Sequence, residues 1–311
     1  MLKRCTALLA AAGLALTTTA CGGSEPARAD DKLAVVAAFY PLEYLAKRIG
    51  GDAVTVTGLA KPGAEPHDLE LTLNQVSQVA DADLVVYLRG FQPAVDEAVE
   101  GQAADHAFDA AAVAPLLDAA AGGHEHEGEA AGEEAHAEEE AGPDPHLWLD
   151  PARLADVGDA LAKRLAEVDG SQDFAGRARA LRADLTTLDG EFTAGLKTCE
   201  RREIVTSHAA FGYLAARYQL EQVAITGLSP ESEPSIQRLT TVAGEAREHG
   251  ATTIFFETLV SPDVAKTIAD KVGARTAVLD PLEGLQPGAA GDYLSVMRTN
   301  LSTLKSALGC S

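Results

Sequence analysis

The sequence predicts an α/β protein of two lobes, each a parallel sheet flanked by helices, joined by one long rigid helix. Three observations predict it. Short apolar runs alternate with amphipathic helical stretches in two separate series. A single long helical stretch stands between them. The 311 residues, 46% of them apolar, suffice for about two domains with packed cores.

In the first series, residues 33–37 (LAVVA) form an apolar run that reads as a buried strand. Residues 41–49 place Leu42, Leu45, Ala46 and Ile49 at helical spacing behind Pro41, a residue suited to a first turn. Further strands are expected at 54–59 and 84–88, and helices at 72–80 and 93–99. Asp150 then reads as a helix cap before Pro151, and Leu154, Val157, Leu161, Leu165 and Val168 give that helix its apolar stripe. Residues 172–197 form the connector, about 39 Å long if unbroken. The second series has strands at 203–206, 222–226, 253–256 and 276–279. Its helices are expected at 209–218, 234–249, 262–272 and 292–308.

Residues 1–20 read as an export signal: Lys3 and Arg4, an Ala/Leu-rich run too short to span a bilayer, then small residues. The small residues before Cys21 resemble a lipobox, which would make Cys21 a lipid-anchored first residue on a tether of residues 21–31; the alternative is plain secretion. The remaining organisation is an N-terminal lobe over 32–168, a linking helix over 169–198 and a C-terminal lobe over 199–311. Residues 122–142 interrupt the first lobe with eight glutamates, three histidines and no basic side chain, a composition that reads as a solvated loop. Its His124, His126 and His136 are candidates for weak metal collection; a plain insertion is the alternative. In an oxidising compartment Cys199 and Cys310 are expected to form a disulfide, two reduced thiols being the alternative. The net charge of −22 argues against a nucleic-acid partner, since phosphates are neutralised by Lys and Arg.

Four residues stand where chemistry is expected. His67 lies in a loop after a strand, His208 just past strand 203–206, and Asp280 at the end of strand 276–279. His146 sits in the constrained stretch Asp144-Pro-His-Leu-Trp-Leu-Asp-Pro151. Ligands bind beyond the carboxyl ends of parallel strands, and imidazoles with a carboxylate suit tetrahedral Zn²⁺. Ser207 is expected to cap the next helix, whose dipole would keep His208 neutral. Each histidine alone could be a structural residue, and Asp280 could be a turn acid before Pro281. His106 reads as a surface residue, His249 as a helix-end cap, and Trp148 as packing beside His146.

Six stretches now carry a family resemblance: Lys61-Pro-Gly through His67-Asp-Leu-Glu70, Asp144 through Pro151, and Ser207-His-Ala-Ala-Phe-Gly-Tyr213, followed in order by Gly227 through Ser235, Phe256-Glu-Thr-Leu259 and Leu279-Asp-Pro-Leu282. The chain resembles the metal-binding solute-binding proteins of bacterial ABC importers, in their zinc-uptake, ZnuA-like branch. The resemblance implies two α/β lobes with a metal between them. It implies three histidine ligands at His67, His146 and His208 and a carboxylate ligand at Asp280, with Glu65 as a weaker alternative. Manganese-binding relatives usually carry a carboxylate where His208 stands, so zinc is the expected ion.

The expected function is therefore high-affinity, extracytoplasmic capture of Zn²⁺ and its delivery to an ABC permease with a separate ATPase. The protein would be a monomer, periplasmic or lipid-anchored at the membrane, and not an enzyme. The rival readings are a secreted zinc hydrolase, opposed by the lack of a His-Glu-x-x-His helix, and a metal-linked adhesin of the same fold.

Overall fold

Central strands form where apolar runs are longest, because both faces of a parallel sheet must be covered. The computed structural model describes residues 32–118 and 142–311. The expected signal, Cys21 and its tether lie outside the described residues, as do His124, His126 and His136. The first sheet has the order β2-β1-β3-β4, all neighbours parallel: β1 Leu33–Ala37, β2 Val54–Gly58, β3 Leu84–Tyr87 and β4 Ala107–Asp109. Every residue of β3 is buried. Helices α1 (Tyr40–Gly50), α2 (Leu73–Asp81) and α3 (Pro93–Gln102) connect these strands. Thr72 and Gln75 cap α2 reciprocally, each side chain bonding the other's backbone N–H.

A two-stranded antiparallel ladder, β5 (Leu117–Asp118) with β6 (Pro143–Asp144), pairs the residues on either side of the acidic segment. Helix α4 (Pro151–Val168) follows, its first turn capped by Asp150, whose carboxylate accepts from Ala152 N and Arg153 N. Helix α5 spans Phe174–Gly195 and is shorter at both ends than its periodicity implied. Asp173 accepts from Gly176 N and fixes the start, leaving 22 residues, about 33 Å.

The second sheet has the order β10-β9-β7-β8, again all parallel: β7 Glu203–Thr206, β8 Glu221–Ala224, β9 Thr253–Phe256 and β10 Arg275–Val278. Its helices are α6 (Gly212–Tyr218), α7 (Ile236–Glu248), α8 (Asp263–Val272) and α9 (Tyr293–Leu308). Helix α6 begins three residues later than expected. Ser207 does not cap it, because its hydroxyl donates to Glu257 Oε1 instead.

Helix α5 is the spine. Phe174, Ala178, Leu181, Leu185, Leu188 and Phe192 form its buried stripe. Its polar face takes ion pairs from four helices: Asp184 from Arg48 of α1, Arg182 to Asp156 and Asp159 of α4, Asp189 from Arg217 of α6, and Glu191 from Arg298 of α9. Such partly exposed pairs each contribute about 0–1 kcal/mol. Burying one Leu or Phe side chain contributes about 1.5–3 kcal/mol, so the stripe dominates. The larger core runs without interruption from Val35 to Leu308, and residues 32–311 form one compact unit. A smaller core under α7 and α8 holds Val205, Ile225, Val242, Ile254 and Ile268.

Cys199, after α5, is disulfide-bonded to Cys310, after α9, and the two backbones also pair as an isolated antiparallel bridge. The bond closes a loop of sequence separation 111. Replacing both cysteines by serine is expected to lower the unfolding free energy by about 3–5 kcal/mol through the released chain entropy. Urea unfolding with and without the bond measures it; an unchanged midpoint would contradict the expectation.

Candidate metal centre

Parallel strands deliver their C-terminal loops to one edge of a sheet, and in the second sheet the chain reverses its direction of travel between β7 and β9. His208 follows β7 by two residues and Glu257 follows β9 directly, so both stand at that switch point. His67 comes from the loop after β2. His146 comes from the turn between β6 and α4.

The three imidazoles converge on one carboxylate oxygen. His67, His146 and His208 Nε2 lie 3.4, 3.2 and 3.1 Å from Glu283 Oε1. His146, His208 and Glu283 are fully buried, and His67 keeps 10% of its side chain exposed. These four residues form a group whose donor atoms lie within 4.8 Å of one another. A tetrahedral centre with bonds of about 2.0–2.1 Å places its donors roughly 3.3–3.4 Å apart, which is the spacing found between the carboxylate and each ring. Glu283 Oε2 is buried with no hydrogen-bond partner among the described residues. A buried, half-satisfied carboxylate facing three lone-pair donors suits a divalent cation.

Outer partners set the rings. His146 Nδ1 lies 2.7 Å from Asp144 Oδ1, and His208 Nδ1 lies 2.7 Å from Glu257 Oε1. Each carboxylate holds the ring proton at Nδ1 and leaves Nε2 as the inward donor. Asp144 is itself held by the β5–β6 ladder and by Tyr213, whose hydroxyl donates to Asp144 O and accepts from Leu117 N. Phe91 packs edge-on to His67 at 4.6 Å, and the wholly buried Trp148 lies 5.2 Å from His146. The Trp148 indole donates to Pro281 O, and Tyr293 donates to Trp148 O. Trp148 is therefore packing, and it also ties the His146 turn to the segment carrying Glu283.

Asp280 does not join this group. The chain leaves β10 through a turn in which Asp280 Oδ1 accepts from Leu282 N, Asp280 Oδ2 accepts from Thr258, and Asn300 bonds both backbone groups of Asp280. Leu282 takes a left-handed backbone with φ 60°, uncommon for a residue with a side chain, and it is fully buried. That turn points the carboxylate three residues onward, Glu283, at the histidines. The turn-acid reading of Asp280 is the one the geometry favours. Glu65 is likewise a loop residue here: both its oxygens accept from His67 N. Sequence reasoning missed Glu283, although a lone carboxylate in Pro281-Leu-Glu-Gly-Leu285 is a visible signal.

Protonation in the ion-free protein follows from the same contacts. Burial opposes charge on His208, but Glu257 and Glu283 outweigh it and raise its pKa to about 10. His146 is raised against burial by Asp144 and Glu283. Burial dominates at His67 and lowers its pKa. Burial would raise Glu283, yet the three rings hold it well below the usual carboxylate range. The expected helix-dipole effect on His208 is thus overridden: α6 begins four residues away, and two carboxylates are in contact. Elsewhere, His106 is half-buried against Val79 O and Asp105, and Glu231 and Glu233 are exposed.

Comparison with known proteins places this geometry in context. The family model described as "Zinc-uptake complex component A periplasmic" matches residues 35–307. The zinc-binding protein AdcA of Streptococcus pyogenes serotype M3 is 35% identical over 291 residues, 89% of this chain. The chain spans 56% of that relative's length. The high-affinity zinc uptake system protein ZnuA of Bacillus subtilis strain 168 is 35% identical over 323 residues, covering 99% of both chains. Among solved structures, the Zn(II)-bound ZnuA-like domain of Streptococcus pneumoniae AdcA superposes with a TM-score of 0.73 at 31% identity, covering 89% of this chain and 99% of that one.

Gly212 tests how the His146 ring is held. A Cβ built there would lie 2.6 Å from Asp144 Oδ2. Gly212→Ala is expected to push the Asp144 carboxylate off His146 and to destabilise the ion-free protein by about 1–3 kcal/mol. Denaturant unfolding measures it, and no loss would mean that Asp144 moves without cost.

Proposed function

The chain belongs to the family of periplasmic zinc-uptake component A proteins, and from that premise we propose that it captures one Zn²⁺ ion outside the cytoplasm and delivers it to an ABC importer. The observation that carries this reading is the meeting of three imidazoles around one buried carboxylate oxygen at 3.1–3.4 Å, with all four donors within 4.8 Å of one another. Zinc is cargo here, held by His67, His146, His208 and Glu283. Four protein donors fill a tetrahedral shell and leave no vertex for the water that a zinc hydrolase needs. The reading therefore assigns the protein no catalytic step.

Two ligands come from loops of the first sheet's half of the chain and two from the second. Moving one half against the other would separate the donors and lower affinity without breaking either sheet. His67, the most exposed of the four ligands, marks the side on which the ion enters and leaves. The reading includes a permease with its own ATPase as the receiving partner and a monomeric carrier tethered through Cys21. Weak collection by His124, His126 and His136 belongs to the same proposal.

Titrating metal-free protein with Zn²⁺, followed by X-ray absorption, tests the reading. A tight one-to-one complex with three nitrogen donors, one or two carboxylate oxygens and no exchangeable water is expected. A bound water with esterase or peptidase turnover would favour the hydrolase. His208→Ala and Glu283→Ala should each weaken zinc binding by more than the roughly 10–100-fold typical of an outer-shell change. Asp280→Asn should weaken it less than Glu283→Gln, and the reverse order would return the ligand role to Asp280.

Protons compete for the same lone pairs. His208, raised to about 10 by Glu257 and Glu283, carries an extra proton at neutral pH in the ion-free protein, and zinc must displace it. Affinity is expected to fall steadily from about pH 7 to pH 5, with proton release measurable by titration in buffers of different ionisation enthalpy. Flat affinity across that range would contradict histidine ligation.

A further inference from the structure

The two sheets share one topology. Read as β8-β7-β9-β10, the second repeats the order β2-β1-β3-β4 of the first, with α6, α7 and α8 in the places of α1, α2 and α3. Helix α2 therefore corresponds to α7. Each follows the second strand of its sheet and starts at the carboxyl edge, where the loops carrying metal ligands also stand.

The first residue of each of these helices is aliphatic and almost wholly in water. Leu73 opens α2 at 88% exposure and Ile236 opens α7 at 85%, whereas the next large apolar residue among the described ones, Val278, reaches 40%. A hydroxyl cap precedes each: Thr72 accepts from Gln75 N, and Ser235 accepts from Arg238 N. The caps fix the first turn and hold each aliphatic side chain in a set position. Two exposed acids lead into each helix at identical spacing. Asp68-Leu-Glu70-Leu-Thr-Leu73 in one half matches Glu231-Ser-Glu233-Pro-Ser-Ile236 in the other.

A single exposed aliphatic residue needs no explanation. Two at corresponding places in one repeated topology, each behind the same run of acids and hydroxyl, form a paired surface element. A partner covering both contacts the two halves of the chain at once. It needs two equivalent parts, each with a basic side chain beside an apolar hollow. A second copy of this chain would bring acids against acids, so the charge disfavours it. Resting on the reading that the chain hands zinc to a permease, we propose that Leu73 and Ile236, each with its leading acids, are the paired contact that docks onto the permease's outward face. A permease of two equivalent subunits offers one such part to each half. The acids steer the encounter, and the aliphatic pair anchors the complex. Gripping both halves also sets their spacing, and thereby acts on the ligands that they divide.

The test uses the full chain, in cells of the source organism whose own copy is replaced by the parent or a variant. Uptake of radioactive zinc at limiting concentration is expected to fall about tenfold in the Leu73→Ser, Ile236→Ser double variant, and by less in either single variant. The zinc dissociation constant of the isolated variants should stay within about twofold of the parent's, because neither residue touches a ligand. Uptake equal to the parent's in the double variant overturns the proposal. In the same cells, a photoreactive phenylalanine analogue replaces Leu73 or Ile236, and the adducts are identified by mass spectrometry. Adducts with a membrane-spanning subunit at both positions support the docking contact. Any other result, including an adduct with a second copy or with a secreted protein, overturns it. If zinc uptake does not depend on the parent itself, the carrier reading has failed. If uptake depends on the parent but not on Leu73 and Ile236, only the docking contact has.

Discussion

The buried Glu283 carboxylate, faced by three imidazoles, is the constraint on which the rest of the structure depends. An ionised carboxylate without compensation is expensive to bury. Here the protein surrounds it with His67, His146 and His208 at 3.1–3.4 Å, and these rings keep it charged. The cluster is therefore balanced only when a cation or protons supply positive charge. A site built this way has opposing states, filled by a metal or filled by protons, and the surrounding fold must tolerate both.

That tolerance comes from where the ligands are attached. None of the four sits within a strand; each hangs on a loop or turn beyond a sheet edge or before a helix. The sheets and the α5 spine are held by continuous apolar packing to which none of the four ligands belongs. Precision is added locally. Asp144 and Glu257 fix two rings, and the Trp148–Pro281 and Tyr293–Trp148 bonds tie the His146 turn to the Glu283 segment. The centre thus combines a rigid frame with connections that can part at a few polar contacts. This suits a carrier that must hold an ion firmly and still give it up.

The elements were largely legible in the sequence because both periodicities are strong. Strands 203–206 and 253–256 fall where β7 and β9 are found, since central strands are continuous apolar runs. Edge strand β10 is shifted by one residue, β8 begins one residue and ends two residues early, and β4, β5 and β6 were not anticipated. Strands of two or three residues carry too little pattern to announce themselves, and backbone pairing with a neighbour defines them. The ends of α5 moved because Asp173 and the chain after Gly195 set them, whereas periodicity alone would have run on.

For the site, the sequence by itself determined the alternation of strands and helices, and it placed His67 and His208 beyond strands and His146 in a constrained turn. Those positions follow from local pattern, because a parallel sheet sends its loops to one edge. Only the tertiary structure decided which carboxylate meets them. Asp280 and Glu283 lie in one short turn, and the choice rests on the left-handed backbone at Leu282 and the bonds that Thr258, Leu282 and Asn300 make to Asp280.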